Sequence, residues 1–199
     1  MSPRNEEQNA LIKDERREQI LSAALKVFAT RGFAATKISD IVSAGGMSHG
    51  LVYHYFKSKE DIFFELVSRA IYYAGQSLVM VDEMPLSPLE KVRQTAKYIL
   101  SGIDMGQETS YYFLIVVHAS VMESTPEEKA KYLKGSEVPM MTLAKILNQG
   151  QQEGTVKPGD TFEFAILFFS AILGLAVYKL TMTDFRMPDP EMLVAMVKK

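Results

Sequence analysis

Apolar residues recur three and four positions apart along almost the whole chain, and no segment alternates in polarity as a strand would. The pattern predicts an all-α fold. A first helix fits Asp14 to Arg31, with Ile20, Leu21, Ala24, Leu25 and Phe28 on one face and Gly32 just past its end as a left-handed stop. Thr36 is expected to cap a short helix from Lys37 to about Ala44, which Gly45 and Gly46 break. Ser48 is a natural N-cap for a second short helix, His49 to Phe56, and Ser58 with Asp61 forms a capping box that opens a long helix to about Val81. Pro85 and Pro88 then mark a boundary. Beyond it, helices are expected at about 88–104, 109–123, 126–134, 137–153, 160–183 and 189–198.

The chain has 199 residues, 47% of them hydrophobic, which is enough for a real core. Its N-terminus is polar and mixed in charge, so no signal peptide is expected and a cytoplasmic location follows. Without cysteine there are no disulfides, thiolate zinc sites or cysteine nucleophiles. The uncharged run from Phe164 to Tyr178 falls short of the roughly 18 residues a membrane span needs, so no membrane association is expected. The net charge of −2 conceals an asymmetry, because Lys26, Arg31, Lys37, Lys57 and Lys59 face a single acid, Asp40, over the same stretch. A locally basic module on an acidic body points to an anionic partner at one end.

Residues 45–61, GGMSHGLVYHYFKSKED, concentrate histidines and aromatic rings. His49 and His54 are five apart, about 140° around a helix, and do not chelate one ion together. His118 is remote, so no metal, cofactor or catalytic constellation is expected. On a helical wheel Val52 and Phe56 fall on one side, while His49, Gly50, Tyr53 and His54 fan across the other. Helix, glycine turn, helix is the plan of a motif that lays its second helix in the major groove of DNA. Lys57 and Lys59 flank the next helix N-terminus, where a phosphate is favoured, and Lys37 adds to the basic edge. The competing reading is that Tyr53, His54 and Tyr55 pack against the larger body.

The run from Arg17 to Phe63, REQILSAALKVFATRGFAATKISDIVSAGGMSHGLVYHYFKSKEDIF, resembles the N-terminal domain of the TetR family of bacterial transcriptional regulators. The resemblance implies a recognition helix carrying His49, Gly50, Leu51, Tyr53 and His54, with Thr36, Tyr55 and Lys59 touching phosphates. Gly45 and Val42 stand where the family commonly has alanine, and the extra glycine is expected to cost about 1 kcal/mol of helix stability and loosen the turn. Residues 1–60 would form a three-helix DNA-binding domain with its helix-turn-helix, a helix over about 59–81 would link it, and 61–199 would form a larger helical ligand-binding and dimerisation domain.

The same resemblance makes Val138 to Gln152 and residues 160–180 the dimerising helices. Leu143, Ile146 and Leu147 form one apolar stripe and Phe164, Phe168, Ile172 and Leu175 another, which suits an isologous interface. Ten of the twelve methionines follow Val79, among many aromatic residues. Tyr98, Met105, Tyr112, His118, Met122 and Phe169 are candidates for an apolar ligand pocket, and ordinary core is the alternative for each. The expectation is a homodimeric repressor that binds double-stranded DNA at a palindromic operator and is released by a small, largely apolar effector. The alternative is a constitutive DNA-binding protein whose C-terminal domain binds a protein partner.

Overall fold

The computed structural model of the chain describes residues 3–199. Among them are ten helices: α1 Pro3–Arg31, α2 Ile38–Gly45, α3 His49–Tyr55, α4 Lys59–Glu83, α5 Pro88–Met105, α6 Glu108–Val121, α7 Pro126–Tyr132, α8 Val138–Gln152, α9 Thr161–Thr181 and α10 Glu191–Val197. No strand occurs among the described residues, and the one bridge pairs Val156 with Lys198. The fold is all-α.

Helix α1 begins well before the expected Asp14. Its first turns use good helix formers, and no residue from Ala10 to Arg16 is buried, so propensity rather than packing extends the helix. Thr36 does not cap α2. The capping position falls to Lys37, whose backbone N–H donates to the Asp40 carboxylate at 2.8 Å. Ser48 caps α3 as expected, accepting from the Leu51 N–H at 3.2 Å. Ser58 accepts from the Asp61 N–H, but the Asp61 carboxylate accepts from Lys57 N–H rather than from Ser58, so the box is displaced by one residue.

Gly46 ends α2 with φ +60°, a left-handed conformation in which glycine is unstrained. Gly45 has a different use. A Cβ there would lie 1.9 Å from the Met47 methyl carbon and 3.1 Å from Ala23. The glycine thus opens a slot that the Met47 side chain fills, so the expected loose turn is a packed one. Val42 packs at the edge of the same core.

Two hydrophobic clusters hold the chain. The first joins α1, α2, α3 and the start of α4 through Ile20, Phe28, Ile41, Val52, Phe56 and Phe63, and it also takes in Tyr111, Ile115 and Ala119 of α6. The second joins α5, α8, α9 and α10 through Val92, Leu100, Ile146, Phe168, Ile172 and Val194. Helix α4 runs from one region to the other. Lys91 donates to the Asp82 carbonyl at its far end, and the Asp82 carboxylate pairs with Lys91 at 3.5 Å and Lys145 at 2.7 Å.

The structure corrects the expected dimer stripes. Leu143, Ile146, Leu147, Phe168 and Ile172 are wholly buried in the second cluster of their own chain, while Phe164 and Leu175 lie half-buried at its edge. The opposite face of α9 is the open one, with Phe162, Ile166, Leu167, Val177 and Tyr178 exposed. The error has a physical source, since α9 is apolar around most of its circumference. By length and composition α9 could cross a membrane, and only 22% of its most apolar window is buried in the chain.

The six expected pocket residues do not converge. Tyr98 and Met105 are on the surface, Met105 being 91% exposed. Tyr112 and Met122 pack against the first cluster and Phe169 against the second. The His118 ring instead lies against Gly32 at the end of α1, and its buried Nδ1 has no hydrogen-bond partner. One cleft of about 240 Å³ is lined by Gln151, Val156 and Lys199, and another of about 140 Å³ by Ile71, Gly75, Lys134 and Val138. None of the six lines either cleft.

Candidate nucleic-acid interface

Helix α3 is only seven residues long and has no internal staying power at that length, so its orientation comes from side chains that sink into the first cluster. Val52 and its C-cap Phe56 do this. With that side fixed, His49, Gly50, Tyr53 and His54 are all exposed on the other, Tyr53 by 56%. They form one continuous surface of ring edges, ring nitrogens, a phenol and a bare stretch of backbone. A Cβ added at Gly50 would meet nothing nearer than the Ser48 hydroxyl at 3.9 Å. The fold therefore does not require glycine there, and the helix backbone at this point is left open to close approach. Leu51 is half-buried and packs on the first cluster, which leaves it a minor part of this face.

The expected phosphate contacts divide. Lys37 and Lys57 are exposed at the two ends of the motif. Tyr55 is half-buried with its ring edge-on to His54 at 5.0 Å. Thr36 is 1% exposed, and its hydroxyl donates to the Gly32 carbonyl at 2.7 Å. It is a lock on the turn after α1, and its hydroxyl is closed off from any phosphate. Lys59 reaches back to the same turn, donating to the carbonyls of Phe33 and Thr36 at 3.0 Å each, with its ammonium 4.4 Å from the Phe33 ring centre. Two of its three N–H donors are thereby committed.

The acids nearby are also committed. Asp40 accepts from the Lys37 backbone and pairs with Arg31 at 2.9 Å, and these two partners, the backbone bond first, hold its carboxyl below the ordinary aspartate range. Glu60 and Asp61 occupy the first turn of α4, so the charge at that helix start is already balanced and attraction for an anion there rests on Lys57. Among the described residues no three His, Asp or Glu side chains gather as metal ligands.

Arg17 and Gln19 were not singled out from the sequence. They sit at the polar edge of the α1 stripe that begins at Ile20, and both reach the helix-turn-helix: the Arg17 guanidinium lies 5.0 Å from the Phe56 ring centre and the Gln19 amide donates to the Gly45 carbonyl at 3.1 Å. The only local signal is that they are polar residues one helical turn ahead of core positions.

Residues 20–66 match the family described as bacterial regulatory proteins, tetR family. The helix-turn-helix-type transcriptional regulator YfiR of Bacillus subtilis is 38% identical over 160 residues, covering 79% of this chain and 76% of the relative. The chain belongs to the TetR family. The helix-turn-helix-type transcriptional repressor KstR2 of Mycolicibacterium smegmatis is 28% identical over 138 residues, 69% of this chain and 60% of that one, which is less than two thirds of the relative's length. AibR, solved in complex with isovaleryl coenzyme A and operator DNA, superposes with a TM-score of 0.70 at 21% identity, covering 90% of this TetR-family chain and 94% of AibR. That likeness is one of fold. The matched span of the family begins at Ile20 and ends at Leu66, so it contains every exposed residue of α3. The family is one of bacterial regulatory proteins.

Proposed function

We propose that this regulator is a repressor that binds a near-palindromic operator as a homodimer. The observation that carries the reading is the exposed fan of His49, Gly50, Tyr53 and His54 on a helix whose other side is fully anchored. Imidazole and phenol groups at this spacing offer donors and acceptors to base edges in the major groove, and Gly50 lets the helix settle close to them. Lys37, Lys57, Tyr55 and the remaining donor of Lys59 flank the fan as phosphate contacts that fix register. Residues 1–60 act as the DNA-binding domain and 61–199 as the regulatory and dimerisation domain. Such a protein works in the cytoplasm, where the chromosome is.

The second protomer covers the open faces of α8 and α9. On the exposed face of α9, Val177 and Tyr178 lie one turn and Ile166 and Leu167 two turns from Gly174, where an added Cβ would meet nothing within 4 Å. A glycine in a helix interior costs stability, about 1 kcal/mol relative to alanine, and close approach by a facing helix explains its use. Reading the two halves of such an operator requires recognition helices about 34 Å apart, one turn of DNA, related by a two-fold axis. The second protomer also accounts for the apolar surface of α9 without a membrane.

Release by a small, largely apolar effector is the first regulatory reading, and acyl-coenzyme A thioesters, whose acyl chains are apolar, are the class to test because AibR is solved with one. The exposed positions of Tyr98 and Met105 favour a second reading, constitutive DNA binding with a protein partner on the C-terminal domain. Selection of duplexes from a random library, followed by footprinting, tests the DNA reading: an inverted repeat is expected, and recovery of no preferred sequence at low salt rejects it. Adding short and long acyl-coenzyme A thioesters to the complex separates the two regulatory readings. Dissociation supports the effector, and unchanged operator affinity and thermal stability support the protein partner.

A further inference from the structure

Three consecutive residues of α1, Arg17, Glu18 and Gln19, reach α2, α4 and the residue that caps α3. Gln19 donates to the Gly45 carbonyl at the end of α2. Glu18 accepts two hydrogen bonds from Arg69 of α4, at 2.7 and 2.8 Å. Arg17 makes a paired, two-pronged bond to the Glu65 carboxylate of α4, and its guanidinium also lies over the ring of Phe56, the residue that ends α3. Arg69 returns to Glu65 at 2.9 Å, so the four charges alternate in sign along an open chain, Arg17–Glu65–Arg69–Glu18. Arg17, Glu65 and Arg69 are each about one quarter to one third exposed, at 32%, 23% and 27%, and the pairs are partly shielded from water.

A planar guanidinium held on both prongs has little freedom to tilt, unlike the point charge of a lysine. Phe56 is buried against it from the other side, and Phe56 with Val52 fixes the roll of the recognition helix. We infer that Arg17, oriented by Glu65, is a positioning residue for DNA reading: it sets the seat of Phe56 and so the angle at which His49 and Tyr53 meet the groove. This inference rests on the reading of α3 as the DNA-contacting helix. It assigns sequence-specific binding a dependence on a carboxylate, Glu65, that itself would repel DNA.

That last point makes the test decisive. Glu65→Gln makes the protein more positive by one charge, so charge attraction alone predicts tighter binding to every duplex. Positioning predicts the reverse for the operator only. The probes are a duplex selected from a random library by the wild-type protein, and poly(dI-dC) as non-specific DNA, both measured by fluorescence anisotropy, with circular dichroism to follow the fold. The expected result for Glu65→Gln is a loss of about tenfold for the selected duplex, with poly(dI-dC) affinity equal or higher and the helical spectrum kept. Arg17→Lys, which keeps the charge and the apolar stem, is expected to show the same selective loss and serves if Glu65→Gln does not fold. Unchanged or tighter binding of the selected duplex overturns the inference, as does an equal loss on both DNAs. If the wild-type protein selects no sequence at all, the DNA-reading function fails first and the inference falls with it.

Discussion

Replacing Leu167 by glutamate distinguishes the two faces of α9. Leu167 is 54% exposed in the single chain, whereas Phe168 beside it is 0% exposed. Because the Leu167 side chain already meets water, the change costs the isolated chain no more than about 0.5 kcal/mol. Full burial of a leucine contributes about 1.5–3 kcal/mol, so covering the exposed half contributes about 1 kcal/mol, and a two-fold axis doubles it to about 2 kcal/mol. Trapping a carboxylate from each copy adds several kcal/mol of desolvation. The dimer should weaken by at least about 3 kcal/mol, more than about a hundredfold in Kd. Phe168→Ala acts elsewhere, opening a cavity in the second cluster at a cost of about 3–5 kcal/mol to the fold. Sedimentation velocity over a concentration series, with circular dichroism melting alongside, reads both. Leu167→Glu should sediment as a helical monomer where the wild-type protein is a dimer, and Phe168→Ala should melt earlier. An unchanged dimer for Leu167→Glu refutes the reasoning.

Gly174→Ala should raise the helicity of the monomer yet weaken the dimer, so a tighter dimer in the same sedimentation assay would remove the case for close approach at that point. Thr36→Val should lose about 1–2 kcal/mol in urea unfolding, because the Gly32 carbonyl loses a buried donor, while leaving the salt dependence of DNA binding unchanged. Lys37→Ala should do the opposite, leaving stability in place and reducing the slope of log affinity against log salt by about 2, one contact from each protomer. Burial by itself would raise the Asp82 carboxyl, but the hydrogen bond and charge of Lys145, with Lys91 beside it, hold it below its ordinary value. Its folded-state pKa therefore lies below the unfolded value of about 3.9, so its contribution is complete above that pH and disappears as pH falls through the folded value. Denaturant titrations of Asp82→Asn and wild type should differ at pH 7 and converge in strong acid, and a gap that widens in acid would contradict the assignment.

Helix order was legible because its signals are local. Ser48 and Ser58 each cap the helix that follows, and Gly46 takes the left-handed conformation that stops α2. The fan on α3 was legible for the same reason: seven residues anchored by buried Val52 and by the C-cap Phe56 leave only one way for the rest to point. Thr36 and Lys59 show where locality fails. A threonine before a short helix fits both a cap and a turn lock, and the choice depends on the Gly32 carbonyl, while the Lys59 ammonium is held by carbonyls 26 and 23 residues away. The dimer stripe failed for a deeper reason. Leu167 and Phe168 are alike in hydropathy, and charge misleads as well, because Lys179 lies on the buried side of α9, tied to Asp104 at 2.9 Å. What assigns the faces is the stripe on α5, Val92, Ala96, Leu100 and Ile103, which needs covering and takes Phe168 and Ile172 for the purpose. A helix apolar on both sides states only that two surfaces must meet it. The chain's own helices supply the first, and the face around Gly174 is the one we propose a second protomer covers.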